Sequence, residues 1–160
     1  MYALISNGQV TQVGELSILF PNTSNPNHAF AIEQGALEVV EGEQKDQRFY
    51  WVTFDSYTVN GNVVTRNYIN TPKALADNGE TKGLKSQAIQ EVKLTANTQL
   101  QSTDWMVYRK FERNIDIPAG VVTERAKIIS DCAAKELAIN ACTTIEQLIQ
   151  VISPVNVSEP

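Results

Sequence analysis

With a single histidine, two cysteines and no run of basic residues in 160 positions, the sequence withholds the side chains that most chemistry needs. His28 sits between Asn27 and Ala29 in a polar stretch, and acid–base catalysis would require a partner within hydrogen-bond reach. A surface or helix-capping place is expected for it. Cys132 and Cys142 lie ten residues apart. On one helix that spacing separates their Cα atoms by about 15 Å, too far for a bridge within the chain, so both are expected to be reduced packing residues. Thirteen Lys and Arg against eighteen Asp and Glu leave a net charge of −5. A nucleic-acid partner is therefore disfavoured, for want of a footprint on a phosphate backbone.

Motifs are missing as well. There is no HExxH, CxxC or clustered His/Cys spacing, no glycine-rich phosphate loop and no Gly-x-Ser-x-Gly elbow, so no catalytic residue, cofactor or metal ligand is assigned. Glu41 with Glu43 and Glu124 with Asp131 are carboxylate pairs, but they read as a solvated loop and a solvated helix face. The longest apolar runs are a few residues, far from the roughly 20 that cross a bilayer, and MYALISNGQV has neither the charged lead nor the apolar core of a secretory signal. Neither membrane association nor secretion is expected.

What is present divides into two dialects. The first half alternates apolar and polar residues around Asn-Gly turns. Tyr2–Ser6 and residues 9–13 flank Asn7-Gly8, the dipeptide that best tolerates two positive φ angles, and predict an opening hairpin. Short helical turns are expected over 15–20, before Pro21, and over 27–34, ended by Gly35, with extended chain resuming over 36–40. A second hairpin is expected from 49–59 and 62–69 around Asn60-Gly61, both arms rich in aromatic and β-branched residues. Tyr50, Val52 and Phe54 would lie on one strand face and Trp51, Thr53 and Asp55 on the other. Thr71-Pro72, Asn78-Gly79 and Gly83 predict a flexible connection, with a module boundary near residue 80.

The second half reads as helices. Leu84, Ala88, Val92, Ala96 and Leu100 recur every four residues and draw a narrow apolar stripe. Such a stripe buries little by itself and needs either a later helix, carrying Val121, Ile128, Cys132 and Leu137, or another chain; Val122, Ile129 and Ala133 widen that helix's apolar face and favour a three-helix cluster or an oligomer seam. Ser102, Thr103 and Asp104 predict a break, with Asp104 or Thr103 capping a short helix that carries Trp105, Tyr108 and Phe111 and stops near Asn114. Trp105 is expected to anchor the core, with direct partner contact as the alternative, and Arg109 can pair with Glu112. Pro118 suits the first turn of a longer helix reaching Cys142, and Thr143 with Glu146 fits the spacing of a capping box for a last helix ending before Pro154.

The expected architecture is therefore α+β: residues 1–79 a β-hairpin-rich module with short helices, 80–153 a helical hairpin or bundle, and 154–160 a tail. Leu84, Ala88, Val92, Trp105, Tyr108 and Arg109 form the expected partner-binding set, and Asp104, Pro118, Thr143 and Glu146 the structural punctuation.

The segment STDWMVYRKFERNIDIPAGVVTERAKIISDCAAKELAI, followed by TTIEQL, resembles the C-terminal part of small tail-fibre-associated and tail-fibre assembly proteins of tailed bacteriophages. YALISNGQV and ELSILFPNTSNP are similar to the N-terminal region of the same group. The likeness covers about half of the chain and rests on Thr103, Asp104, Trp105, Arg109, Glu112, Pro118, Arg125 and the run Asn22, Thr23, Ser24; residues 36–99 match only in general layout. Asn25 departs from the pattern, standing where the group more commonly has Phe before the proline.

The resemblance implies a non-enzymatic role: an assembly chaperone or adaptor that binds a tail-fibre or baseplate polypeptide, as an oligomer or hetero-complex, in the host cytoplasm during assembly or in the virion tail. Two other readings remain open from the sequence. One is a permanent structural protein of the tail or baseplate. The other is a carbohydrate-binding module at the tail tip that stacks sugars on Tyr50, Trp51 and Tyr57.

Overall fold

The computed structural model describes residues 1–153, and the expected tail at 154–160 lies outside them. The fold is α+β, in two compact units divided between Pro72 and Lys73 rather than near residue 80. The division falls early because the second long hairpin strand runs to Pro72, and the residues after it are bonded to the helix that follows.

The first unit is a five-stranded sheet with two short helices. Its strands are β1 (Tyr2–Ser6), β2 (Gln9–Gly14), β3 (Leu37–Glu41), β4 (Tyr50–Asn60) and β5 (Val63–Pro72), in the order β2-β1-β3-β5-β4. Only β3 and β5 run parallel. The first hairpin forms as expected: Ser6 pairs with Gln9, and Asn7 (φ 53°) and Gly8 (φ 76°) make the turn. The second turns one residue later than expected. Asn60 is the last ladder residue, opposite Val63, so Gly61 and Asn62 form the loop, and of the Asn60-Gly61 pair only Gly61 has positive φ (58°). Glycine at the first central position of a two-residue loop is the alternative tight-turn solution.

Both strands at the ends of the order carry one extra residue. In β2, Leu4 and Ile5 face Gln12 and Val10, so Thr11 is the surplus residue, and its hydroxyl donates to the Leu4 carbonyl (3.1 Å). In β4, the register slips by one between Phe54 and Tyr57, which leaves Asp55 and Ser56 opposite the single residue Asn67. The sheet curls far enough to bring β2 towards β4. Ala3, Val39 and Val64 form its core, with Ile5, Val10, Val13, Leu37, Tyr57 and Val59 packed against them.

The two short helices are α1 (Leu16–Leu19) and α2 (His28–Glu33), and Phe20 meets Phe30 edge-on at 5.2 Å. Asn27 caps α2 by accepting from Phe30 N–H. His28, on the first turn, bonds the Tyr2 hydroxyl at 2.8 Å, and Gly35 (φ 75°) ends the helix.

The second unit contains α3 (Leu84–Arg113), α4 (Ala119–Ala141) and α5 (Ile145–Ile152). Three expectations are corrected here. First, there is no break at 102–104, and Asp104 caps nothing. Ser102 and Thr103 bond back to the carbonyls of Gln99 and Leu100, and Asp104 is taken up by Arg125, so the side chains that could end the helix are spent within it. α3 does stop at Asn114, in the left-handed region (φ 52°).

Second, Pro118 is the N-cap of α4 rather than a first-turn residue, and its carbonyl accepts from Val122 N–H. Third, the capping box belongs to Thr144 and Gln147, not to Thr143 and Glu146. The Gln147 carbonyl oxygen accepts from the Thr143 and Thr144 amides and from the Thr143 hydroxyl. Glu146 instead places a negative charge in the first turn of α5, where the exposed amide dipoles favour it.

Residues 73–83 fold back on the start of α3. Asn78 and Thr81 bridge, Leu84 and Lys85 donate to the carbonyls of Ala74 and Leu75, and Asp77 accepts from Gly83 N–H at 2.7 Å. The expected flexible connection is thus a tied turn. A Cβ on Gly83 would lie 2.4 Å from the Ala76 carbonyl group, so only glycine fits.

Candidate functional site

The site-bearing region is the α3–α4 hairpin, held antiparallel by contacts along its length. Lys85 Nζ reaches the Asn140 carbonyl (2.9 Å), Lys93 pairs with Glu136 (3.0 Å), and Arg125 crosses to α3. The Arg125 guanidinium donates to the Leu100 carbonyl (2.8 Å), the Thr103 hydroxyl (2.6 Å) and Asp104 Oδ1 (2.9 Å), with its side chain only 18% exposed. Three residues that carry the resemblance, Thr103, Asp104 and Arg125, therefore meet at one crossing point.

The helices divide the expected partner-binding residues. Leu84 and Ala88 are each 7% exposed and Val92 is half-buried, so the start of the regular stripe is covered in the folded chain. α4 buries Ile139 and half-buries Val121, Ile128 and Cys132, whereas Leu137, expected in the same stripe, is 72% exposed.

Trp105 is not a core anchor. It is 52% exposed, and Arg109 lies over its ring at 4.8 Å rather than in an observed pair with Glu112. Tyr108 (67%) and Phe111 (91%) are more exposed still. An indole under a guanidinium and two exposed aromatics form an apolar display at the end of a long helix.

Sequence reading missed a groove beside the seam. Ala96, Asn97 and Leu100 of α3 and Ile129, Cys132 and Ala133 of α4 line a space of about 290 Å³, with Lys93 and Glu136 at its edge. Small side chains at facing positions, Ala96 on α3 and Ala133 on α4, open it. Burial, and next the Glu136 carboxylate, push the Cys132 thiol above its usual range. Both cysteines are free, and Cys142 is buried.

In the first unit, Tyr50, Trp51 and Tyr57 do not form one sugar-stacking platform. Tyr50 is 5% exposed while its strand neighbour Trp51, on the opposite face, is 62% exposed, and Tyr57 packs on the core. The polar cluster of this sheet is elsewhere. Arg66 lies 5.5 Å from both the Phe54 and Tyr68 rings and 3.7 Å from Glu41, which also accepts from the Tyr68 hydroxyl. That bond holds the phenolic proton and raises the Tyr68 pKa.

Among the described residues, no three His, Cys, Asp or Glu side chains are grouped to hold a metal, and no helix is long and apolar enough to cross a membrane. Comparison with family models, curated proteins and solved structures finds no match to the chain.

Proposed function

We propose that this chain is a non-enzymatic accessory of a bacteriophage tail fibre, an assembly chaperone or adaptor whose α3 aromatic end holds the fibre or baseplate polypeptide. The observation that carries the reading is the exposure of Trp105, Tyr108 and Phe111 within the segment whose residues bear the resemblance to tail-fibre-associated proteins. Large rigid aromatics at the surface lose little conformational entropy on docking and bury much apolar area, which suits them as interface anchors. Binding would cover apolar fibre surface until the fibre chains have joined, without making or breaking a covalent bond.

The test is co-expression with a tail-fibre polypeptide from the same source. Soluble, oligomeric fibre should accumulate with the wild-type chain and fall in its absence. The double variant Tyr108→Ala/Phe111→Ala should keep the fold yet lose co-purification, each truncation weakening binding by at least about 1 kcal/mol. Fibre that folds equally well without this chain, and never co-purifies with it, sinks the proposal. Mass spectrometry of purified particles separates a chaperone that departs from an adaptor or structural protein that stays.

A further inference from the structure

An asparagine followed by glycine is open to attack by its own backbone, because glycine puts no Cβ beside the next amide nitrogen. The chain has three such pairs, Asn7-Gly8, Asn60-Gly61 and Asn78-Gly79. All three asparagines are exposed, and a Cβ on any of the three glycines would meet nothing within 4 Å, so access does not separate them. Their place in the turn does. Ser6 pairs with Gln9, which makes Asn7 the first central residue of its loop, with φ 53°. Asn60 pairs with Val63 and Asn78 with Thr81, so each of these stands one position earlier, as the residue before the loop.

We propose that Asn7 is a site of self-modification by deamidation, the one of the three that the fold leaves reactive. The Gly8 amide nitrogen attacks Asn7 Cγ and gives up its proton, the bond from Cγ to the side-chain nitrogen breaks, and ammonia leaves with that proton. A succinimide ring remains. Water then opens the ring: addition at the side-chain carbonyl leaves Asp, and addition at the main-chain carbonyl leaves isoaspartate, whose backbone runs through the side chain. No redox change occurs and water is the co-reactant.

Ring closure requires the asparagine ψ to swing, and that swing turns its own carbonyl. At Asn78 the carbonyl accepts from Thr81 N–H at 3.0 Å, and at Asn60 it closes the second hairpin opposite Val63. Either bond must break before the ring can form. The first hairpin is closed by Ser6 and Gln9, so turning the Asn7 carbonyl costs the ladder nothing. Positive φ helps as well. The ring fixes ψ near the value of the first central residue of a type II′ turn, a position that also needs positive φ. Asn7 already has it, so the imide fits by a change of turn type with the strand register kept. Hydrolysis then adds a carboxylate to an acidic chain, and the isoaspartate product lengthens a two-residue loop by one backbone atom, which loosens the pairing of β1 with β2.

Trypsin separates the three sites, because cleavage after Lys45, Arg48, Arg66, Lys73 and Lys82 leaves them in the peptides 1–45, 49–66 and 74–82. The purified chain, with no fibre present, is held at mildly alkaline pH both folded and in concentrated urea. Mass, fragmentation and enzymatic methylation of isoaspartate then follow each site. In the folded chain Asn7 should convert first, with Asn60 and Asn78 roughly three- to ten-fold slower, the penalty of breaking one closing backbone hydrogen bond. In urea the three rates should converge.

Asn7→Gln, whose longer side chain closes a less favourable ring, should remove most of the isoaspartate formed by the folded chain and leave its circular dichroism unchanged. Asn60 or Asn78 leading in the folded chain overturns the proposal. So does an Asn7 as slow as they are, a folded-chain signal that survives Asn7→Gln, or the same ranking in urea, which would trace it to neighbouring residues and not to the turn.

Discussion

Arg125 ties three points of α3 to α4 through one guanidinium, two of them neutral acceptors that salt does not screen. Arg125→Ala should lower unfolding stability by about 1–3 kcal/mol in urea titrations, since it leaves the Asp104 contact and two further acceptors without their donor. Arg125→Lys should recover only part of this, because an ammonium cannot reproduce the planar fork. Asn114 reports a different cause, its backbone being left-handed where α3 ends. Asn114→Ala should cost about 1 kcal/mol, whereas Asn114→Gly should be close to neutral, having no Cβ to clash. Gly83→Ala should be the most damaging of these changes: its Cβ would overlap the backbone at residues 75 and 76, which no rotamer can relieve.

At the scale of elements, α3 is 30 residues long because capping chemistry was overruled by tertiary contacts. Ser102, Thr103 and Asp104 have the right composition for a helix start, and sequence alone cannot show that Arg125, 21 residues beyond Asp104, will claim that carboxylate. Hairpins were legible because turn residues and alternation are local signals. The Asn60-Gly61 loop moved by one residue since either of two tight-turn types satisfies the same dipeptide. The apolar stripe was legible, but whether it would be filled from inside or outside was not, because that depends on how α4 is laid against it. The groove formed by Ala96 and Ala133 needs the register of both helices and so could not be read from either. For α5, Thr144→Ala should reduce stability by about 1 kcal/mol, the usual cost of a lost N-cap, and thermal melts followed at 222 nm would register it.

For the whole molecule, acid should act in two separable stages. Net charge vanishes near pH 4.9, where folded chains should scatter light most strongly because mutual repulsion is least. Below that, unfolding should follow. Asp77 is held below the usual carboxylate range by the Gly83 amide and then Ser86, and Asp116 by its bond to Lys110. A carboxylate with a lowered folded-state pKa contributes stability that is present above its unfolded value and lost as pH falls through its folded value. Asp77→Asn should therefore flatten the acid limb of a pH–stability curve, measured by denaturant midpoints from pH 6 downward, and leave the scattering maximum nearly in place.

The extra residues in β2 and β4 bear on a hazard that grows as copies crowd together. Both fall on the end strands of the sheet order, where a flat run of unpaired amides would template the next chain. A kink there interrupts the repeat on which a growing fibril depends, so removing Thr11 or Ser56 by deletion should shorten the lag before thioflavin-positive deposits form.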